Sequence, residues 1–180
     1  TPMYLTLFDF DQPLNNWDVS NVTNMEDVFF GTSFDQPINS WDVSNVTNMK
    51  GMFTSSLFNQ TINNWVVGNV TNMENMFLAS SFNQNINDWN VANVTNMKAM
   101  FSQALDFNQP LNDWDVSNVV NMSEMFRTAQ AFNQPLDHWD FSNATNLNFM
   151  FLQAQSFNQD ISGWCTPKIY FPPANFSAAS

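Results

Sequence analysis

Apolar side chains recur along this chain in blocks of 24 or 25 residues, a period far longer than that of a helix or a strand. The repeat therefore has to be read before any single element. Trp stands at Trp17, Trp41, Trp65, Trp89, Trp114, Trp139 and Trp164. Seven residues before each lies a Phe, from Phe10 to Phe157, and Gln follows each of those Phe residues by two positions. A second Phe lies twelve residues beyond each of the first six Trp residues, at Phe29, Phe53, Phe77, Phe101, Phe126 and Phe151. Only the step from that Phe to the next copy varies, five residues early in the chain and six later, which marks a loop that tolerates insertion.

Within the copy from Phe107 to Phe126 the apolar positions are Phe107, Leu111, Trp114, Val116, Val119, Met122, Met125 and Phe126. Trp114, Asp115 and Val116 alternate apolar with polar, which predicts a short strand buried on one face. Met122, Met125 and Phe126 follow at steps of three and one, which predicts a single helical or 3₁₀ turn. Neither element can bury its apolar face alone. Copies stacked in parallel at about 4.8 Å can, and seven of them predict a rod roughly 30–35 Å long. The expected organisation is the end of a preceding repeat or an N-terminal edge over 1–9, seven tandem repeats over 10–164, and a C-terminal cap over 165–180, where Pro167, Pro172 and Pro173 cannot continue a ladder.

The run W-x-V-S-N-V-T-N-M, then M-F, then F-N-Q, resembles the surface-protein repeat of the DUF285 or BspA-like type, and the likeness extends from Phe10 to Trp164. The Leu111, Trp114, Val116 spacing is also similar to the L-x-x-L-x-L strand of leucine-rich repeats. The resemblance implies a repeat solenoid, a leucine-rich-repeat-like right-handed coil with short parallel strands and one short helical or 3₁₀ turn per repeat. It further implies a secreted or surface-displayed protein without enzymatic activity.

Composition supplies the core and removes several partners. Hydrophobic residues are 44% and aromatics 16%, with 19 Phe and 11 Met, so the chain is no disordered tail. Four Lys and Arg against 16 Asp and Glu give a net charge of −12, which repels phosphate and excludes nucleic acid and anionic membrane surfaces as expected partners. No apolar run approaches the roughly 20 residues that span a bilayer. The chain opens at Thr1 without a signal sequence, as a mature or trimmed fragment would. Polarity is carried by amides, with 29 Asn.

Each column of the repeat invites a role. The Trp column shares strand parity with Val19, Val43, Val67, Val91 and Val116, which places it inside the coil rather than on a sugar-stacking surface. Two Asn columns, Asn21, Asn45, Asn69, Asn93, Asn118, Asn143 and Asn24, Asn48, Asn72, Asn96, Asn121, Asn146, read as structural amide ladders between coils. Glycosylation sequons fall on several of them as a by-product of N-V-T, and Asn175, outside the repeat, is the more credible acceptor. A Thr column at Thr23, Thr47, Thr71, Thr95 and Thr145 lacks the flat multi-column face that ice binding needs.

Charge is divided around the coil. Glu26, Lys50, Glu74 and Lys98 alternate in sign one copy apart and predict a surface ion-pair ladder, and Glu124 with Arg127 predicts a local pair. The Phe-to-Trp-to-Asn segments carry ten Asp and no Lys or Arg. Their column after Trp reads Asp18, Asp42, Val66, Asn90, Asp115 and Asp140, and Asp18, Asp42, Asn90, Asp115 and Asp140 form the candidate binding face. Three roles stay open for its Asp residues: capping of backbone amides, coordination of Ca²⁺ by Asp18, Asp42, Asp115 and Asp140, or contact with a basic partner.

No catalytic constellation is visible. His138 is the single His, Cys165 the single Cys, and four scattered Gly make no phosphate cradle. Cys165 reads as a partly covered, inert thiol. The expected function is that of an extracellular adhesive or structural surface protein, binding a protein or glycan surface ligand or other copies of itself end to end in filaments. The alternative is a Ca²⁺- or glycan-dependent lectin-like module on the Asp/Asn face.

Overall fold

The computed structural model describes residues 9–169. Among them there is no helix and no strand longer than one residue; the only ladder partners are five isolated parallel bridges, Asn24 to Asn48, Asn48 to Asn72, Asn72 to Asn96, Asn96 to Asn121 and Asn121 to Asn146. The leucine-rich-repeat-like coil of strands and helical turns is therefore wrong. What the chain forms is a stack of turns in which each 24- or 25-residue copy is hydrogen-bonded to the next.

The segment expected to be helical shows why. The Met52 N–H donates to the Met49 carbonyl at 3.3 Å, Thr54 to Gly51 at 3.0 Å and Ser56 to Phe53 at 3.2 Å, three overlapping turns. The residues between turn away from the copy: Met49, Gly51, Phe53 and Ser55 donate to Asn72, Glu74, Met76 and Leu78 at 2.7–2.9 Å. Such alternation needs a left-handed residue at every fourth position. Gly51 and Ser55 have φ of 62° and 54°, and the same two places are left-handed at Asp27 and Gly31, Asn75 and Ala79, Ala99 and Gln103, Glu124 and Thr128, Phe149 and Gln153. A helix tolerates no such residue. Yet the steps of three and one still aim Met and Phe inward, so the apolar spacing imitates a helical turn. Gly51 has a second role, because a Cβ there would meet the Asp27 carboxylate.

The expected strand fails for a related reason. Turns close on both sides of it, with Trp114 N–H on the Leu111 carbonyl at 3.2 Å and Val119 N–H on the Val116 carbonyl at 2.9 Å. Too few extended residues remain between them for a backbone ladder, and side chains make the inter-copy bonds instead.

The core is a double file of phenyl rings. Rings of the first Phe column lie 5.9–6.4 Å apart along the stack and those of the second 5.5–5.8 Å apart. The files touch at 4.0–4.3 Å where the second Phe of one copy meets the first of the next, as in Phe53 on Phe58 and Phe101 on Phe107. Such contacts add about 0.5–1.5 kcal/mol each beyond area burial. Trp, Ile or Leu, Val and Met columns complete the interior, and from Phe34 to Phe132 nearly all are fully buried.

That same Phe-to-Phe contact spans loops of both lengths, and a coupled substitution explains how. Where the step is five residues, the position three after Phe carries a hydroxyl, Thr32, Ser56 or Ser80; where it is six, it carries Ala104, Ala129 or Ala154. In two of the three short loops the next Phe N–H donates to that hydroxyl, Phe58 to Ser56 Oγ at 3.1 Å and Phe82 to Ser80 Oγ at 3.4 Å. In the long loops it donates to the Ala carbonyl, Phe107 to Ala104, Phe132 to Ala129 and Phe157 to Ala154, at 3.1–3.3 Å. One extra residue closes a backbone turn and makes the hydroxyl dispensable.

Ser56→Ala is accordingly expected to lower stability by about 1–3 kcal/mol in denaturant unfolding, because it strands a buried N–H, whereas Ala129→Ser should change it far less. At the left-handed Gln103, substitution by Gly should raise stability by about 1 kcal/mol and substitution by Val should lower it. Opposite signs in thermal melts are the check; equal effects would sink the turn assignment.

Candidate functional site

The polar columns divide into those spent within the stack and those left to solvent. The F-N-Q motif belongs to the first class. Its Asn or Asp oxygen accepts the backbone N–H of the equivalent residue one copy on, from Asp35 on Asp11 at 2.9 Å to Asn158 on Asn133 at 2.9 Å. The Gln side chain of that next copy donates to the same group, Gln84 to Asn59 at 3.0 Å and Gln109 to Asn83 at 3.0 Å. Recurrence of Gln was plain in the sequence, but its role was not, and Asp11 and Asp35 are ladder acceptors rather than members of an open acidic face.

Trp makes a second inter-copy bond. Each indole Nε1 from Trp41 to Trp164 donates to the Leu or Ile carbonyl of the preceding copy at 2.9–3.2 Å. From Trp41 to Trp139 these indoles are buried, which excludes them as a binding platform.

The two Asn columns act differently from one another. Asn45, Asn69, Asn93, Asn118 and Asn143 donate through Nδ2 to the carbonyls of Ser20, Ser44, Gly68, Ala92 and Ser117 in the preceding copy at 2.7–2.9 Å. The nitrogen a glycan would require is committed at Asn45, Asn69, Asn93 and Asn143. Asn24, Asn48, Asn72, Asn96, Asn121 and Asn146 instead accept the N–H two residues on at 3.0–3.1 Å, opening the run of turns, while their backbones form the bridges. Direct amide-to-amide bonding in this column is present at Asn48 on Asn24, 2.9 Å. Asn21, at the first copy, is exposed. Asn175 lies outside the described residues.

The column after Trp is open to solvent. Asp18, Asp42, Asn90, Asp115 and Asp140 are all exposed, as is Val66 at 64%. Each polar member accepts the N–H two residues on: Ser20, Ser44, Ala92, Ser117 and Ser142 at 2.8–3.2 Å. The Ser20 hydroxyl, then the Ser20 N–H, hold the Asp18 carboxyl below the usual range. Ser44 does the same for Asp42 and Ser117 for Asp115. Asp18 pushes Asp42 the other way, and this like-charge repulsion is the smallest influence on it. Capping is thus the role that the geometry supports. Among the described residues no three Asp, Glu, His or Cys converge to hold a metal, and each carboxylate caps its own turn, so the donor set does not fit the Ca²⁺ expectation.

The alternating charges close one inter-copy pair. Lys50 Nζ stands 3.1 Å from Glu26, lowering the Glu26 carboxyl and raising Lys50, and Arg127 pairs with Glu124 at 2.8 Å. Glu74 takes the Asn96 amide at 3.0 Å instead of an ion pair with Lys98. Lys168 occupies the first Asn column and donates to Asn143, so the Asp-bearing side has a cation at its C-terminal end. Cys165 is exposed rather than partly covered, and His138 is exposed beside Asp137 at 3.9 Å.

A family model described as "Mycoplasma protein of unknown function, DUF285" matches residues 1–104 and 78–180, which together take in the whole chain. The chain belongs to the DUF285 family. Comparisons with curated proteins and with solved structures found no match. The copies of this DUF285 chain therefore have to be interpreted through their own geometry.

Because Asp18, Asp42 and Asp115 titrate lower folded than unfolded, their contribution is complete above the ordinary aspartate range and is lost as pH falls through the folded values. The triple variant Asp18→Asn, Asp42→Asn, Asp115→Asn keeps the cap, as Asn90 does. It should melt close to wild type at neutral pH and lose Tm less steeply below about pH 4. An unchanged acid limb would show that these caps carry none of the pH dependence.

Proposed function

We propose that this chain is a non-enzymatic extracellular surface protein that works as an adhesive or structural interaction scaffold. The observation that carries the reading is the division among polar columns: amides and indoles are spent on neighbouring copies, while Asp18, Asp42, Asn90, Asp115 and Asp140, in five of the seven copies, face solvent. Several weak sites along one face gain from simultaneous contacts, which suits an extended protein or glycan surface better than a small molecule. The net charge of −12 disfavours nucleic acid and anionic lipid as that surface. No helix of the described residues is long and apolar enough to cross a membrane.

Two measurements test the reading. Protease applied to intact source cells should release the repeat, and protection until lysis would sink the surface location. On protein and glycan arrays the wild-type chain should bind by contacts that weaken with salt, and Asp18→Asn, Asp42→Asn, Asp115→Asn and Asp140→Asn together should weaken binding at least about tenfold, near 1.4 kcal/mol, at unchanged Tm. Equal binding by the variant would move the ligand off this face.

A further inference from the structure

Asn followed two residues on by Ser or Thr is the acceptor sequence for an N-linked glycan. The sugar is joined to the side-chain nitrogen, so a folded stack can carry it only where that nitrogen and the neighbouring hydroxyl face solvent. At Asn45, Asn69, Asn93 and Asn143 the nitrogen stands 2.7–2.8 Å from a carbonyl of the preceding copy, a gap no sugar enters. At Asn121 the hydroxyl partner, Ser123, is buried and bonded back to the Asn121 oxygen at 2.8 Å. Asn59 and Thr61 differ on both counts, since each is exposed. The Asn59 backbone N–H donates to Asp35 at 2.7 Å, and Oδ1 accepts the Asn83 N–H at 2.9 Å and the Gln84 amide at 3.0 Å. Its Nδ2 makes no hydrogen bond to any described residue. This acceptor is no by-product of N-V-T either. The place after F-N-Q carries Pro13, Pro37, Asn85, Pro110, Pro135 and Asp160 in the other copies, and Thr61 alone supplies a hydroxyl there. The other Asn residues of the column, Asn83, Asn108, Asn133 and Asn158, are only partly exposed.

We propose that Asn59 carries an N-linked glycan. Its Nδ2 attacks the anomeric carbon of a sugar held on a lipid carrier through diphosphate. The C–N bond forms, the bond from that carbon to the diphosphate oxygen breaks, and the diphosphate leaves with the electron pair. One amide proton passes to a base of the transferase. The product is still an amide with Oδ1 as acceptor, so the bonds from Asn83 and Gln84 survive the modification. The same reaction at Asn69 would drive the sugar against the Ser44 carbonyl and break the copies apart there. One column spends its oxygen on the next copy and leaves its nitrogen to solvent, while the other spends its nitrogen; this difference selects Asn59. The proposal rests on the extracellular reading for access to the transferase.

The test is to secrete the full 180-residue chain from a cultured eukaryotic cell line that attaches N-linked glycans. Peptide-N-glycosidase in heavy-oxygen water then converts every modified Asn to labelled Asp, which mass spectrometry locates. In the folded, secreted fraction Asn59 should be occupied in most molecules, and Asn45, Asn69, Asn93 and Asn143 in few. Thr61→Pro, which copies Pro37 and Pro110, should remove that glycan at unchanged Tm. Asn85→Thr should confer a glycan on Asn83, whose nitrogen is likewise without a partner among the described residues. Enzymatic removal of the sugar should leave Tm unchanged, because Asp at this place accepts the same bonds, as Asp11 does from Asp35 and Gln36. An unmodified Asn59 in the secreted fraction, or equal occupancy at Asn69 and Asn93, overturns the proposal. Where the source cell places the chain does not enter this measurement, so failure of the surface location shows separately in the protease experiment.

Discussion

The fold depends on one constraint: in the turn segments, every second backbone N–H points at the neighbouring copy. Without helix or sheet, a copy satisfies only its turn-closing amides by itself, and the four between, such as those of Met73, Asn75, Phe77 and Ala79, bond to the next copy. A buried N–H left alone costs about 1–3 kcal/mol, so a copy that buried this face without a neighbour's carbonyls would carry several such penalties. Stacking removes them together, and this makes the array cooperative. The stacked Phe files then fix the distance at which those bonds close.

Amides suit this arrangement for a physical reason. An Asn or Gln side chain both donates and accepts, and it stays neutral at every pH the protein meets. In the F-N-Q column one oxygen takes two donors from the next copy, and in the first Asn column one nitrogen reaches a carbonyl of the preceding copy. At Asp18 and Asp42 a carboxylate stands at the surface, where Ser hydroxyls and N–H groups hold the charge. Among the described residues no buried side-chain nitrogen or oxygen is left without a partner, so the polarity of a chain so rich in Asn is absorbed rather than displayed.

How far the sequence could be read depended on whether a residue's direction or its backbone angle was at issue. Inward columns were legible: Trp, Val, Met and both Phe files lie in the core, because burial follows apolar identity at a fixed period. The exposed Asp column was legible for the same reason. Backbone conformation was not. Met at steps of three beside Phe fits a helical turn and a run of tandem turns equally, and the left-handed sites carry Asp, Gly, Asn, Ala, Glu and Phe in one column, with no residue type to announce them. The coupling of Ser56 or Ala129 to loop length was written in the chain as well, but only the destination of the Phe58 and Phe132 N–H groups gives it meaning.

By itself, then, the sequence determined the number of copies, their register, the membership of the core and the DUF285 family, since each follows from identity and spacing along one dimension. The tertiary structure alone decided which amide bonds to which carbonyl, and that the turns contain left-handed residues in place of a helix. Hydrogen bonding is directional and is completed by groups 21 to 28 residues apart. A linear pattern can bring such groups into register, but only the folded stack sets their angles.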